Sequence, residues 1–182
     1  LSENNETVIV RLSSATNCSF GSTNLTVTIA TNDSAVFSWS AATNTVNETN
    51  GTVTFTVNRG GTVFNAATVD FTSSNGTAMA ESDYTATNGT LSFAASETTK
   101  TITVDILDDT VQETNKTFRL LLSNPVDGVI GIGTNLVTIT DDDRSTVGFA
   151  TNAVTVSEAG GTVLVIVLRS GATNTVVSVD YT

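Results

Sequence analysis

Slid against itself by about 110 residues, the sequence places roughly 22 identical pairs in about 72 overlapped positions, well above chance even for a chain so rich in Thr and Asn. Thr45-Val46-Asn47-Glu48-Thr49-Asn50-Gly51-Thr52-Val53 falls on Thr155-Val156-Ser157-Glu158-Ala159-Gly160-Gly161-Thr162-Val163, Val27-Thr28-Ile29 on Val137-Thr138-Ile139, and Val69-Asp70-Phe71-Thr72 on Val179-Asp180-Tyr181-Thr182. A period this long is one whole domain per repeat, not a solenoid turn. In 182 residues that leaves one complete repeat, 35–144. Residues 1–34 correspond to the C-terminal part of a repeat and 145–182 to the N-terminal part of a following one. Partial repeats of this kind present unpaired strand edges and a bare apolar face. They are expected to be completed by more of the same array or by neighbouring chains.

Within the repeat the pattern is β throughout. Thr52-Val53-Thr54-Phe55-Thr56-Val57 alternates apolar and polar residues, as a half-buried strand does. Thr68–Thr72, Thr90–Phe93, Thr101–Leu107, Thr117–Leu122, Leu136–Thr140 and Thr162–Leu168 read the same way. Turn signals separate them at Asn50-Gly51, Gly60-Gly61, Asn75-Gly76, Asn88-Gly89 and Gly160-Gly161, where glycine supplies positive φ. Pro125, the single proline, is expected to follow a strand and open a loop. No segment carries a capped helical stripe. Short strands at this spacing predict an antiparallel sandwich of about seven strands per repeat.

Charge and composition exclude several functions. Seven Lys and Arg against 18 Asp and Glu give −11, so nucleic acid and anionic membrane surfaces are poor partners. The longest apolar run, Val163–Leu168, is too short for membrane insertion. No histidine is present, and Cys18 is the lone cysteine, which removes Ser- and Cys-based triads and Cys/His metal cages. The acids gather at strand ends rather than facing a cleft, unlike a glycosidase pair. The chain reads as a non-enzyme. Its Thr/Asn-rich, Lys-poor make-up, with about nine Asn-x-Ser/Thr sequons including Asn24, Asn75 and Asn115, points to an extracellular or cell-surface protein with possible glycans. The lack of an initiator Met and leader suggests a processed chain or a fragment.

The carboxylates of the complete repeat carry the functional signal. Glu48 precedes the strand Thr52–Val57, and Asp83 lies in the loop Ser82-Asp83-Tyr84. Asp108 and Asp109 end the strand Thr101–Leu107, Glu113 follows in the next loop, and Asp141, Asp142 and Asp143 end the last strand. Alternate loops of a Greek-key sandwich meet at one pole, and three successive acids repel unless a positive charge sits among them. Oxygen ligands without His or Cys select Ca²⁺ over Zn²⁺ or Cu²⁺, and flexible loops rich in carboxylates suit Ca²⁺ better than Mg²⁺. The alternative is a solvated acidic pole that serves solubility.

Gly76-Thr77-Ala78-Met79-Ala80-Glu81-Ser82-Asp83-Tyr84, Gly89-Thr90-Leu91-Ser92-Phe93, Glu97-Thr98-Thr99-Lys100, Ile106-Leu107-Asp108-Asp109 and Asp141-Asp142-Asp143 together resemble a Calx-beta domain. That module binds calcium in the regulatory loop of sodium–calcium exchangers and recurs in tandem in bacterial surface and adhesion proteins. The resemblance covers 35–144 in order. It implies an immunoglobulin-like seven-stranded sandwich with Ca²⁺ held at one pole by Glu48, Asp83, Asp108, Asp109, Glu113, Asp141, Asp142 and Asp143. Three departures modify this. Glu81 replaces a usual glycine, which implies a strained loop or an added ligand; Thr110 and Lys116 replace acids of the strongest binders, which implies fewer or weaker ions. In the flanks, Thr31-Asn32-Asp33 stands where the triple acid would be, and Glu158 is kept without its partners.

Other residues have plain readings: Cys18 as a loop or core thiol, Trp39 as a packing position equivalent to Phe149, and Arg59 and Arg169 as recurring residues that pair with acids or cover apolar surface. Two functions follow. The first is a calcium-binding structural or adhesion module of an extracellular repetitive surface or matrix protein. The alternative is a self-assembling filament subunit whose partial domains complete each other head to tail.

Overall fold

The structure is a computed structural model that describes residues 5–30 and 33–182. Its centre is a two-sheet sandwich. One sheet has the order β10-β3-β5-β8 and the other β4-β11-β9-β6-β7, built from β3 (Ala35–Trp39), β4 (Thr43–Asn47), β5 (Thr52–Gly61), β6 (Ala67–Asn75), β7 (Asn88–Phe93), β8 (Thr99–Asp105), β9 (Lys116–Val126), β10 (Gly128–Ile130) and β11 (Thr134–Thr140). The first strand of the repeat is split between the sheets as β3 and β4, and the last as β10 and β11, so nine segments make seven strands. β3 meets β10 in parallel, and β4 meets β11 in parallel. The other ladders of the sandwich are antiparallel. This is the predicted all-β, immunoglobulin-like arrangement.

Period-two alternation does the packing. Phe55 and Val57 on β5, Ile102 and Val104 on β8, Phe118 and Leu120 on β9, and Val137 and Ile139 on β11 all point into one core with Phe37, Trp39, Val69 and Phe93. Trp39 is fully buried at the end of β3, a packing residue as predicted. Arg59 is buried too, but its guanidinium donates to the carbonyls of Ala94, Thr62 and Asn65 rather than to an acid. Arg169 likewise donates to Ala172 O and to Ser145 Oγ. Cys18 is an exposed thiol.

Several local expectations are corrected. Asn88-Gly89 is not a turn but the start of β7, paired with Thr72 and Phe71. Gly60 and Gly61 close β5 rather than lying outside it, with the chain turning at Gly61 (φ 66). Pro125 lies within β9, because the register against β6 shifts between Thr68 and Asp70. A proline lacks the ladder donor, and such an irregularity is where a strand tolerates one. β8 stops at Asp105, and Ile106 continues only as an isolated bridge to Tyr84.

The flanks form two small sheets. β1 (Glu6–Arg11) pairs with β2 (Asn24–Ile29), and β12 (Thr146–Phe149) with β13 (Val167–Ser170). Each repeats a ladder of the central sandwich, shifted by 110 residues. Glu6↔Ile29 through Arg11↔Asn24 reproduces Lys116↔Ile139 through Leu121↔Thr134. Thr146↔Ser170 through Phe149↔Val167 reproduces Val36↔Gly60 through Trp39↔Val57. The turn glycines match as well. A Cβ on Gly61 (φ +66) or on Gly171 (φ +80) would lie 2.2 Å from the carbonyl oxygen of Ser34 or of Arg144 respectively. The predicted strand Thr162–Leu168 is shorter than expected: only Val167–Ser170 is in a ladder. In the central domain the first half of β5 is flanked by β8 alone. In 162–166 the Ile166 carbonyl accepts from Ala150 N at 2.9 Å, and the segment 145–182 has no counterpart of β8 for the rest to pair with.

Candidate metal centre

Three pieces of local structure bring the acids together. β4 and β11 run parallel with Asn47 opposite Thr140, so the next residues, Glu48 and Asp141, leave the sheet side by side. The Asn47 side chain accepts from Thr49 N at 3.0 Å and caps the single 3-10 turn Glu48–Asn50, which holds Glu48 inward. The carbonyl of Gly51, just after that turn, accepts from Ile106 N at 2.5 Å, which brings the end of β8, and so Asp108, beside it. Tyr84, stacked on Phe118 at 4.2 Å, anchors the third piece. Leu107 N donates to Asp83 O, and Thr85 N to Asp105 O, which fastens the Asp83 loop to the same strand end.

The carboxylates converge on Glu48. Oxygens of Glu48, Asp108 and Asp142 lie within 4.8 Å of one another, and so do those of Glu48, Asp141 and Asp143. Glu48 is 6% exposed and accepts Asp142 N–H at 3.1 Å. Burial pushes its carboxyl from 4.5 up to about 7; the Asp142 N–H opposes this, while Asp141, Asp143 and Asp109 add to it by repulsion. Asp143 is also raised, by desolvation first and then by Asp141, Asp109, Asp108 and Asp142, and its Oδ2 is buried without a hydrogen-bond partner. A buried, unpartnered carboxylate oxygen among four other acids is a site built for a positive charge. Every donor is a carboxylate oxygen, so the fit is to a hard cation.

The remaining predicted residues divide. Asp109 lies close enough to repel Glu48 and Asp143, but its Oδ1 accepts Val111 N at 2.6 Å and it belongs to neither triad. Asp83 and Glu113 border the same crevice as Glu48 and Asp141, and Glu113 N donates to Asp141 Oδ1. Their carboxylates, however, are held by Lys116, at 2.6 Å from Asp83 and in a second ion pair with Glu113. Burial works against the lysine charge, but the hydrogen bonds to Asp83 and Glu113 outweigh it and hold Lys116 above its ordinary pKa. An ammonium thus occupies the side of the pole nearest Asp83, and the two triads form the other side. Glu81 sits at positive φ (66), and its side chain accepts from Ala86 N rather than joining a triad. Thr31 and Asn32 of the N-terminal flank lie outside the described residues. The capping role of Asn47 escaped the sequence reading, although an Asn just before Glu-Thr was a visible cap signal.

Fold and pole define an immunoglobulin-like sandwich module with an all-oxygen acidic pole. Comparison with known proteins agrees: the Calx-beta domain profile matches residues 30–143 and again 140–182, and the chain belongs to the Calx-beta domain family. Sodium/calcium exchanger 1 of Canis lupus familiaris is 38% identical over 152 residues, 72% of this chain. The match spans only 16% of that relative's length. Among solved structures, the apo form of the Calx CBD1 domain superimposes with a TM-score of 0.59 at 29% identity, covering 60% of this chain and 99% of that one. The calcium binding domain CBD12 of CALX1.1 gives a TM-score of 0.56 at 30% identity, with 58% of this chain and 44% of that one covered. Among the described residues, no helix is long and apolar enough to cross a membrane.

Proposed function

We propose that this chain is a calcium-binding structural module, with Ca²⁺ held at the acidic pole of the repeat 35–144. The observation that carries the reading is Glu48, a buried carboxylate shared by two triads. Glu48, Asp108, Asp141, Asp142 and Asp143 are the ligands at the triads, and Asp109 is a neighbour that can swing in. Asp83 and Glu113 serve through Lys116, which neutralises their side of the pole. A bound Ca²⁺ supplies the charge that lets Glu48 and Asp143 ionise together. Calorimetric titration of the metal-free protein with Ca²⁺ tests this. Saturable binding that Glu48→Gln removes is expected, and no binding heat in the unmutated chain overturns it.

The setting we infer is an extracellular repetitive surface or matrix protein, in which the module acts as a stiff spacer without enzymatic activity. Composition and sequons support this. So does the junction: Gln112, in the acid-rich loop, exchanges hydrogen bonds with Asn174 at 3.0 and 2.8 Å and accepts from Thr175 at 3.1 Å. A second reading, a self-assembling subunit completed head to tail by its neighbours, is favoured by the repeated ladder registers of the two flanks.

A further inference from the structure

Between Ile106 and β9, residues 107–115 form no strand, yet successive backbone amides of this loop are committed. Val111 N donates to Asp109 Oδ1 at 2.6 Å and Glu113 N to Asp141 Oδ1 at 2.9 Å, so acids of the pole hold the residues on either side of Gln112. Gln112 N donates to Asn174 Oδ1 at 3.0 Å, and Asn174 belongs to the following repeat. The pairing is reciprocal. Asn174 Nδ2 donates to Gln112 O at 2.8 Å, and Thr175 Oγ1 to Gln112 Oε1 at 3.1 Å. One side-chain amide thus satisfies both backbone groups of Gln112, as a neighbouring strand would.

The turn that carries Asn174 is fixed from its other side. Ala172 is 1% exposed, and its carbonyl accepts from Arg169 Nη2 at 2.7 Å and from Ser145 Oγ. Arg169 Nη2 also donates to Ser145 Oγ at 2.8 Å, and Gly171 packs over the Arg144 carbonyl. Arg144 and Ser145 directly follow the last acid of the pole, so the same turn grips the connection between the repeats. A chain connection alone is a hinge. A second attachment beside it stops the swing, and the short tether keeps the two sides at a high effective concentration.

The residues are particular to this junction. In the central repeat the matching turn is held in the same way, with Arg59 donating to Thr62 O where Arg169 donates to Ala172 O. It carries Phe64 at the position of Asn174, and a phenyl ring can neither accept an N–H nor donate to a carbonyl. The side chains that join the repeats here are all neutral, and Gln112, Asn174 and Thr175 belong to neither carboxylate triad. We infer that these three residues form a metal-independent clasp through which the following repeat docks on the loop 107–115 and keeps one orientation. This rests on the stiff-spacer reading and deepens it, because it separates the stiffness from the cation.

Nuclear magnetic resonance on the full-length chain, in chelator and in calcium, tests the clasp. In both conditions the Gln112 amide is expected to exchange with solvent roughly tenfold or more slowly than an open loop amide. Asn174→Ala is expected to remove that protection while leaving exchange in the β5–β8 ladder unchanged. In chelator, residual dipolar couplings from β3–β11 and from β12–β13 should fit one common orientation in the unmutated chain and two independent ones in the variant. A common orientation present only with calcium overturns the clasp but leaves the spacer reading standing, since the metal then supplies the stiffness. Independent orientations of the unmutated repeats in both conditions overturn both. A variant that keeps the common orientation in chelator overturns the clasp alone.

Discussion

Replacing Glu48 with glutamine separates what the acidic pole costs from what it does. Without metal, burial and the neighbouring aspartates raise the Glu48 carboxyl from 4.5 to about 7, which corresponds to about 3 kcal/mol against its ionised form. The folded state therefore holds this proton more tightly than the unfolded chain does. The resulting stabilisation is full below about pH 4.5 and is lost as pH rises through about 7. Glutamine keeps an oxygen for the Asp142 N–H and removes the charge. In chelator at pH 8 the variant is expected to melt above the unmutated protein, by about 10 °C on the usual scaling for a domain of this size. At pH 5 most of that gap closes, since the unmutated protein regains about 2.5 kcal/mol by protonating Glu48. In calcium at pH 8 the order reverses, because only the unmutated pole gains by mass action. Circular-dichroism melts of both proteins in chelator and in calcium, at pH 5 and pH 8, make the comparison. A variant no more stable than the unmutated chain in chelator at pH 8 refutes the reasoning.

Three further outcomes are expected. Asp142→Asn removes most of the calcium-dependent rise in melting temperature, whereas Asp70→Asn, whose carboxylate bonds Thr90 and Asn124 on β7 and β9, leaves it intact; equal effects in paired melts would count against the ligand assignment. Lys116→Met strands the buried Asp83 carboxylate without its ammonium and costs about 3 kcal/mol in urea unfolding under chelation, so a neutral result would remove the lysine from its role at the pole. Glu81→Gly relieves the positive φ at that residue and stabilises the fold by about 1 kcal/mol while leaving the calcium titration unchanged; a weakened titration would make Glu81 a ligand after all.

The site was legible where chemistry and strand ends coincided, and obscure where it depended on pairing. Acids at the ends of β8 and β11 had to meet once a sandwich was inferred, and Glu48, Asp108, Asp141, Asp142 and Asp143 do meet. Which acids share a cation is decided by the side-by-side exit of Glu48 and Asp141 from a parallel β4–β11 ladder. An antiparallel reading of the fold does not foresee that ladder, because it comes from a first strand that changes sheets between Trp39 and Thr43. Lys116 was visible as a departure from the family pattern. Its actual work, holding Asp83 and Glu113, needed the distance between β9 and the Asp83 loop.

The flanks show why alternation alone over-predicts strands. Thr162–Leu168 falls on Thr52–Asn58 in the repeat and is apolar from Val163 onward, yet only its last residues are in a ladder, because those are the ones for which β12 supplies hydrogen-bond partners. Alternating side chains specify which face a segment will bury, while the backbone donors and acceptors specify whether it can be a strand. In the central repeat both conditions are met by the same 110-residue segment, so pattern and structure agree. In the flanks they separate: Val165 and Ile166 keep the apolar residues of a core strand but sit exposed outside any ladder.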